Sequence, residues 1–272
     1  MSRRKKIEGY CQICGRYGQL SFEHVPPEKA FNNRKEFYTV TTDELLKIEN
    51  EGIVDAFQQA IKNKTAKKRQ GGIGFNSLCV TCNNNTGSWY ATYYIEWIYQ
   101  LLGILLKANN KPSLYYPTFM FPLRVIKQII TMFFSINKTL RESEPELVEF
   151  VLNKNKRFLN PKYKVYCYYN MEGQKRYIGD TIVGDMTSNV ITRVSELSFP
   201  PLGFVLTIKG EKLDNRLKDI TYFSEFEYNH WTEQYQHYNT LPTHLPNIPA
   251  DYRTKEEINK AILTSLKNRD NY

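Results

Sequence analysis

Cys11 and Cys14 form one C-x-x-C pair, and Cys79 and Cys82 form another. At this spacing two thiolates from a single turn reach one ion, and two such pairs complete a tetrahedron of Zn–S bonds of about 2.3 Å. Gly15 follows the first pair and suits a tight turn around the metal. A four-cysteine site is closed, so a zinc held there braces the fold and does no chemistry itself. Two disulfides or ordinary buried thiols are the alternatives. Between the pairs lie residues 15–78, 64 in all, more than a ribbon site usually spans. That length makes the metal the staple of a long insertion. The insertion holds "FEHVPPEKAF", residues 22–31, in which Glu23 and His24 stand ahead of Pro26 and Pro27. The prolines stop any helix there. His24 is either a loop histidine in water or a working residue beside the metal site.

The elements that must position these residues change character along the chain. Residues 1–90 are polar and rich in turns. From Trp89, "SWYATYYIEWIYQLLGILLKA" is apolar on nearly every face, as in a helix buried within its own domain. "PLRVIKQIITMFFSINK" (122–138) opens with proline in the first turn and spaces Val125, Ile126, Ile129, Ile130, Phe133 and Phe134 at helical intervals. "SEPELVEFVLNK" predicts a helix capped by Ser143, with Pro145 in its first turn. Past Asn160 the period shifts toward two. "KYKVYCYY" and "RYIGDTIV" flank "NMEGQK" as a hairpin, and Cys167 alternates with tyrosines toward a strand core. "NVITRVSELSF" and "LGFVLTIKG" add two strands. "LPTHLPNIPADY" (241–252) reads as irregular chain, and "TKEEINKAILTSLKNR" as a terminal amphipathic helix.

Composition sets the class. The chain has 272 residues, 41% hydrophobic and 14% aromatic, which is globular rather than disordered. Lys and Arg outnumber Asp and Glu by 37 to 28, for a net charge of +9 and a pI near 9.1, an excess that favours polyanions, nucleic acid first. "KNKTAKKRQGG" places Lys62, Lys64, Lys67, Lys68 and Arg69 just ahead of the second cysteine pair, and "RRKK" (3–6) opens the chain. Phosphate neutralisation and a solvated charge run are both open for these segments. No uncharged run reaches the ~18–20 residues of a membrane span, and no apolar run follows the basic N-terminus as in a signal peptide. The expectation is a cytoplasmic protein without a membrane partner, where cysteines serve metals more often than disulfides. His230, His237 and His244 lack any such setting and read as ordinary surface or partly packed residues.

Taken in order, C-x-x-C, Glu-His-Val-x-Pro and Leu-Cys-x-x-Cys-Asn, the pattern resembles the HNH endonucleases, built on a ββα-metal unit, in the subgroup braced by a four-cysteine zinc. The residues that carry the resemblance are Cys11, Cys14, Glu23, His24, Pro26, Cys79, Cys82 and Asn83, and it spans residues 10–95. It implies a metal-dependent endonuclease that hydrolyses DNA phosphodiester bonds, double-stranded DNA being the expected form. His24 would be the general base. Glu23 and Asn83 would hold a catalytic Mg²⁺ or Mn²⁺, with Asn84 and Asn85 as competing ligands. Two positions depart from the family: Glu23 stands where Asp is usual, and the hairpin-holding asparagine falls at Gly74. Asn76, or the backbone of the glycine loop, takes that last role.

The fold class expected is α+β: an N-terminal ββα-metal zinc module (1–95), then a helical middle and a β-rich C-terminal part (96–272). Residues 110–272 carry no motif; their size fits target binding, homo-oligomerisation, or docking to a regulatory protein. Analogy with other HNH proteins bearing an extra domain points to anti-phage defence. Two rivals stand beside this reading: a non-catalytic zinc module that binds nucleic acid or protein, and an RNA-directed nuclease.

Overall fold

The computed structural model describes residues 7–33, 37–48, 52–69, 71–109, 111–170, 174–185, 190–210 and 212–269. The basic segment 3–6 and the centre of the expected 170–175 turn lie outside them. The chain is α+β and forms two compact units, one of residues 1–23 with 75–272 and one of residues 24–74.

In chain order, β1 (Glu8–Tyr10) pairs antiparallel with β2 (Tyr17–His24), Tyr10 opposite Tyr17. The smaller unit follows with β3 (Phe37–Thr39), α1 (Thr42–Leu46), α2 (Ile53–Lys62) and β4 (Lys67–Arg69). Thr41 and Glu44 close a capping box at the start of α1, and β3 pairs with β4. β5 (Gly74–Cys79) leads back to the larger unit and joins a sheet of order β1-β2-β5. α3 (Val80–Thr86) runs through a π-helical turn, Gly87–Ala91, into α4 (Thr92–Leu106). α4 buries Tyr94, Trp97, Ile98, Leu101 and Leu105, spaced along one face. The all-round burial expected of it does not hold, because Tyr99 and Leu106 on the opposite side stand in water.

β6 (Ser113–Met120) precedes α5 (Pro122–Ile136), α6 (Leu140–Ser143) and α7 (Pro145–Leu152). α5 is the helix buried on every side, from Pro122 to Ser135. Part of its polar face is satisfied from within: the Lys127 ammonium donates to the carbonyl oxygens of Phe150 and Asn153 at the end of α7. Cations suit that pole of a helix. Ser143 does not cap α7; it ends α6 and donates to the Thr139 carbonyl oxygen, while Glu144 takes the cap position without a side-chain bond.

β7 (Tyr163–Tyr169), β8 (Arg176–Asp185), β9 (Val190–Phe199), β10 (Leu202–Ile208) and β11 (Lys218–Asp219) form an antiparallel sheet of order β11-β7-β10-β9-β8. The expected β7–β8 hairpin is therefore absent among the described residues. β7 pairs with β10 and β11 instead, so both of its edges are taken before β8 can reach it. Its residues are buried except Lys164, and Cys167 lies in that core as expected. A 3-10 turn (Thr221–Glu225), β12 (Thr232–Asn239) and α8 (Lys255–Arg269) complete the chain. Among the described residues no helix is long and apolar enough to cross a membrane.

One buried ion pair organises the large sheet. Arg176 Nη1 donates to Glu196 Oε1 at 3.0 Å with both side chains out of solvent, and Glu196 also accepts from Tyr168, Tyr252 and the Ala250 N–H. Glu196→Ala is expected to destabilise the protein by about 3–5 kcal/mol, because it strands a buried guanidinium. A shift of the urea midpoint reports it. An unchanged midpoint would mean that the network contributes nothing.

Candidate metal centre

The four cysteines converge in the larger unit. Cys11 and Cys14 lie in the turn between β1 and β2, where the Gly15 N–H donates to the Cys11 carbonyl oxygen at 2.9 Å. Gly15 has φ +73°, a left-handed backbone conformation that favours glycine in this turn. Cys79 ends β5 and caps α3, its Sγ accepting from the Cys82 N–H at 3.5 Å. The Gln12 N–H donates to the Ser77 carbonyl oxygen and ties the first knuckle to the second.

The ligand atoms of all four residues lie within 4.8 Å of one another, and the sulfurs of Cys14 and Cys79 are 3.8 Å apart. Bonds of about 2.3 Å to a tetrahedral zinc place sulfurs about 3.8 Å apart, so the cluster can hold a metal ion such as zinc. Its electrostatics call for a cation. Hydrogen bonding from the Cys82 thiol holds Cys11 down at about 4, and that bond and charge in turn push the Cys82 thiol far up. Burial raises Cys14. Four thiolates cannot share this space unless a metal neutralises them. Among the described residues this is the one cluster of its kind.

Glu23 and Asn83 belong to the same unit. Glu23 is buried, and its Oε2 accepts from the Ser135 hydroxyl on α5 at 2.5 Å. Burial pushes its carboxyl up to about 7, and the Ser135 bond offsets this only in part. Asn83, in the second turn of α3, donates from Nδ2 to Ser21 Oγ at 3.1 Å, while that hydroxyl donates to the Leu78 carbonyl oxygen. The bonded chain assigns the amide nitrogen to β2 and leaves Oδ1 as the end of the side chain able to ligate. Asn84 is exposed and Asn85 half-buried.

His24 opens the smaller unit. Its Nε2 lies 3.1 Å from the Gly71 carbonyl oxygen. A carbonyl only accepts, so this bond places the proton on Nε2 and makes Nδ1 the basic nitrogen. Gly72 has φ +79°, and a Cβ on it would meet the His24 ring at 2.9 Å and the Asn32 carbonyl oxygen at 2.4 Å. Sequence reasoning passed over Asn32. Buried, it donates to the carbonyl oxygens of Pro26 (2.7 Å) and Ile73 (2.6 Å) and accepts from the Ile73 N–H (2.7 Å). With the Val25 N–H bond to the Ile73 carbonyl oxygen, it clamps the proline turn to the glycine loop. Asn32 thus holds the two segments, a role that sequence reading assigned to Asn76 or the loop backbone. Lys62, Lys64 and Lys67 are exposed on this unit; Lys68 and Arg69 lie in β4, with side chains outside the described residues.

No family model, curated protein or solved structure matches the chain. The class of site is set by the cysteine geometry alone.

Proposed function

We propose that the protein is a metal-dependent endonuclease of the HNH type, with a structural zinc on Cys11, Cys14, Cys79 and Cys82 and residues 1–95 as its nuclease module. The observation that carries this reading is the His24 imidazole, held through Nε2 by a backbone carbonyl and backed by glycine, between the two cysteine pairs. A base held in one tautomer and orientation is what activation of an attacking water requires. Asn83 Oδ1 and Glu23 supply the hard oxygen donors that suit Mg²⁺ or Mn²⁺. Bound there, such an ion would stabilise charge on the phosphate and leaving oxygen. Asn83 fits as found; Glu23 must leave its buried bond to Ser135 to serve. Exposed Lys62, Lys64 and Lys67 attract the phosphate backbone.

The burial of Glu23 favours a second reading, a non-catalytic zinc module that binds nucleic acid or a protein partner. Incubation of the protein with plasmid, single-stranded DNA and RNA, each with Mg²⁺, Mn²⁺ or EDTA, separates the two. Metal-dependent cleavage of DNA supports the nuclease, cleavage confined to RNA makes it an RNA-directed effector, and none leaves the binding module. A role in anti-phage defence stays an analogy, tested by phage plating on cells that express the protein or its His24→Ala variant.

Replacing Lys62, Lys64 and Lys67 together by Gln is expected to weaken DNA binding and flatten its salt dependence, by about 0.9 in slope for each lost duplex phosphate contact. Binding titrations across a salt series check this. An unchanged slope would return the segment to a solvated charge run.

A further inference from the structure

β6 and β12 pair as a two-stranded sheet, with Tyr115 opposite His237, Pro117 opposite Tyr235 and Phe119 opposite Glu233. Leu114, Met120 and Tyr238 bury its inner face. The outer face carries rings in water: Tyr115, Phe119 and Tyr235 are 64%, 41% and 55% exposed, and Trp231, just ahead of β12, is 57%. These rings are ordered in pairs. Phe119 and Trp231 stack with centroids 5.2 Å apart and planes 15° apart, and Tyr115 and Tyr235 lie 5.8 Å apart. No Leu, Ile, Val or Met stands on this face, so its apolar surface is ring surface.

Further rings outside the sheet hold cations, Arg124 buried among its rings and Lys154 exposed. Tyr93 meets Phe121 edge-on at 4.9 Å, Arg124 lies 4.0 Å and 3.9 Å over Tyr93 and Tyr228, and Lys154 lies 4.9 Å over Trp89. Trp89 and Tyr93 belong to the same run of helix as Asn83. Lys111, exposed two residues before β6, stands at the other end.

We propose that this face binds single-stranded nucleic acid, with bases stacked on the Phe119–Trp231 and Tyr115–Tyr235 pairs and phosphates drawn by Lys154 and Lys111. The proposal rests on the nuclease reading and names the strand form that reaches its site. Aromatic platforms flanked by cations bind single strands because every base has a π-face, while a duplex hides those faces within its own stack. Alternate residues of a strand are about 6.8 Å apart, which gives each ring room for its own base. Glu233 lies between Trp231 and Tyr235; its carboxylate repels phosphate yet accepts from base amino groups, so bases rather than backbone face the sheet.

The test is fluorescence anisotropy of the full, zinc-loaded chain with labelled oligothymidylate, oligouridylate and a duplex of equal length, all without added Mg²⁺ or Mn²⁺ so that nothing is cut. Single strands are expected to bind more tightly than duplex, and comparison of the two oligomers shows whether DNA or RNA is preferred. Trp231→Ala and Phe119→Ala should each weaken single-strand binding about ten-fold or more, with Trp231→Phe retaining most of it. Equal affinity of Trp231→Ala and wild type, or a preference for duplex, overturns the proposal. So does a drop in oligomeric mass of Trp231→Ala at unchanged oligonucleotide affinity, which would make the face a protein contact. Ring-dependent binding by a wild type that never cleaves would sink the nuclease reading alone. Metal-dependent cleavage at full rate by the ring variants, without single-strand preference, would sink this proposal alone.

Discussion

Cys79→Ser is expected to release zinc and to unfold the β1–β2–β5 sheet with α3, and a strong chelator is expected to do the same to the wild-type chain. The reason is a shortage of other support. β1 buries no residue fully and β2 only Glu23, while Tyr10 and Tyr17 are both 63% exposed. The residues out of solvent in this knuckle are Cys11 and Ile13. Apolar burial here cannot replace the metal, whose apparent binding energy in small zinc modules is roughly 10–16 kcal/mol at neutral pH. The large sheet has its own core, with β10 buried at every position. Hydrogen exchange should therefore accelerate at residues 8–24 and 74–86 and stay slow at 163–169 and 202–208. Elemental analysis should give one zinc per chain, and affinity should fall as pH falls, because each ligand must lose a proton to bind. A protein purified without zinc, whose Cys79→Ser variant keeps slow exchange at 8–24, would refute the assignment.

The cysteine site was legible because its information is local. Each C-x-x-C fixes two ligands in one turn, and only the meeting of the pairs needed the fold. α5 and α7 were legible for the same reason, through apolar spacing and first-turn prolines. Asn32 was not: its partners, Pro26 and Ile73, come together only when the chain returns 41 residues later. The β7–β8 hairpin was misread because "NMEGQK" has good turn chemistry, yet the pairing of β7 with β10 across more than thirty residues prevailed. Turn propensity decides little when a strand buried on both faces has a better partner. β6 and β12 gave no clear signal, since their exposed faces carry tyrosine and phenylalanine where a strand pattern calls for polar residues.

The same limit applies to Glu23. Sequence places it beside His24, but its environment is set by Ser135, 112 residues away on α5, which is buried from Pro122 to Ser135. Neighbours in sequence here belong to different compact units. Adjacency in a motif therefore does not guarantee equal access to solvent, and the two residues should respond differently to mutation.

His24→Ala is expected to lower the cleavage rate about 10²–10⁴-fold while zinc content, thermal midpoint and DNA binding stay near wild type, since a positioned base contributes that much. The half-buried ring donates to the Gly71 carbonyl oxygen and is not among the partners of Asn32, so its loss leaves the Asn32 clamp in place. Asn83→Ala and Glu23→Ala should act through the ion instead, with losses partly recovered at high Mn²⁺ by mass action. Glu23→Ala also leaves the Ser135 hydroxyl buried without its acceptor, so its thermal midpoint should fall by more than that of Asn83→Ala. Asn84→Ala and Asn85→Ala should change little, because of the three asparagines Asn83 is the one whose side chain is fixed, to Ser21. Cleavage rate against metal concentration for all five variants beside wild type decides among these roles. If His24→Ala cleaves at the full rate, no water is activated there. The bond to Gly71 would then serve only to fold the insert, and Glu23, buried against α5, would be a structural carboxyl.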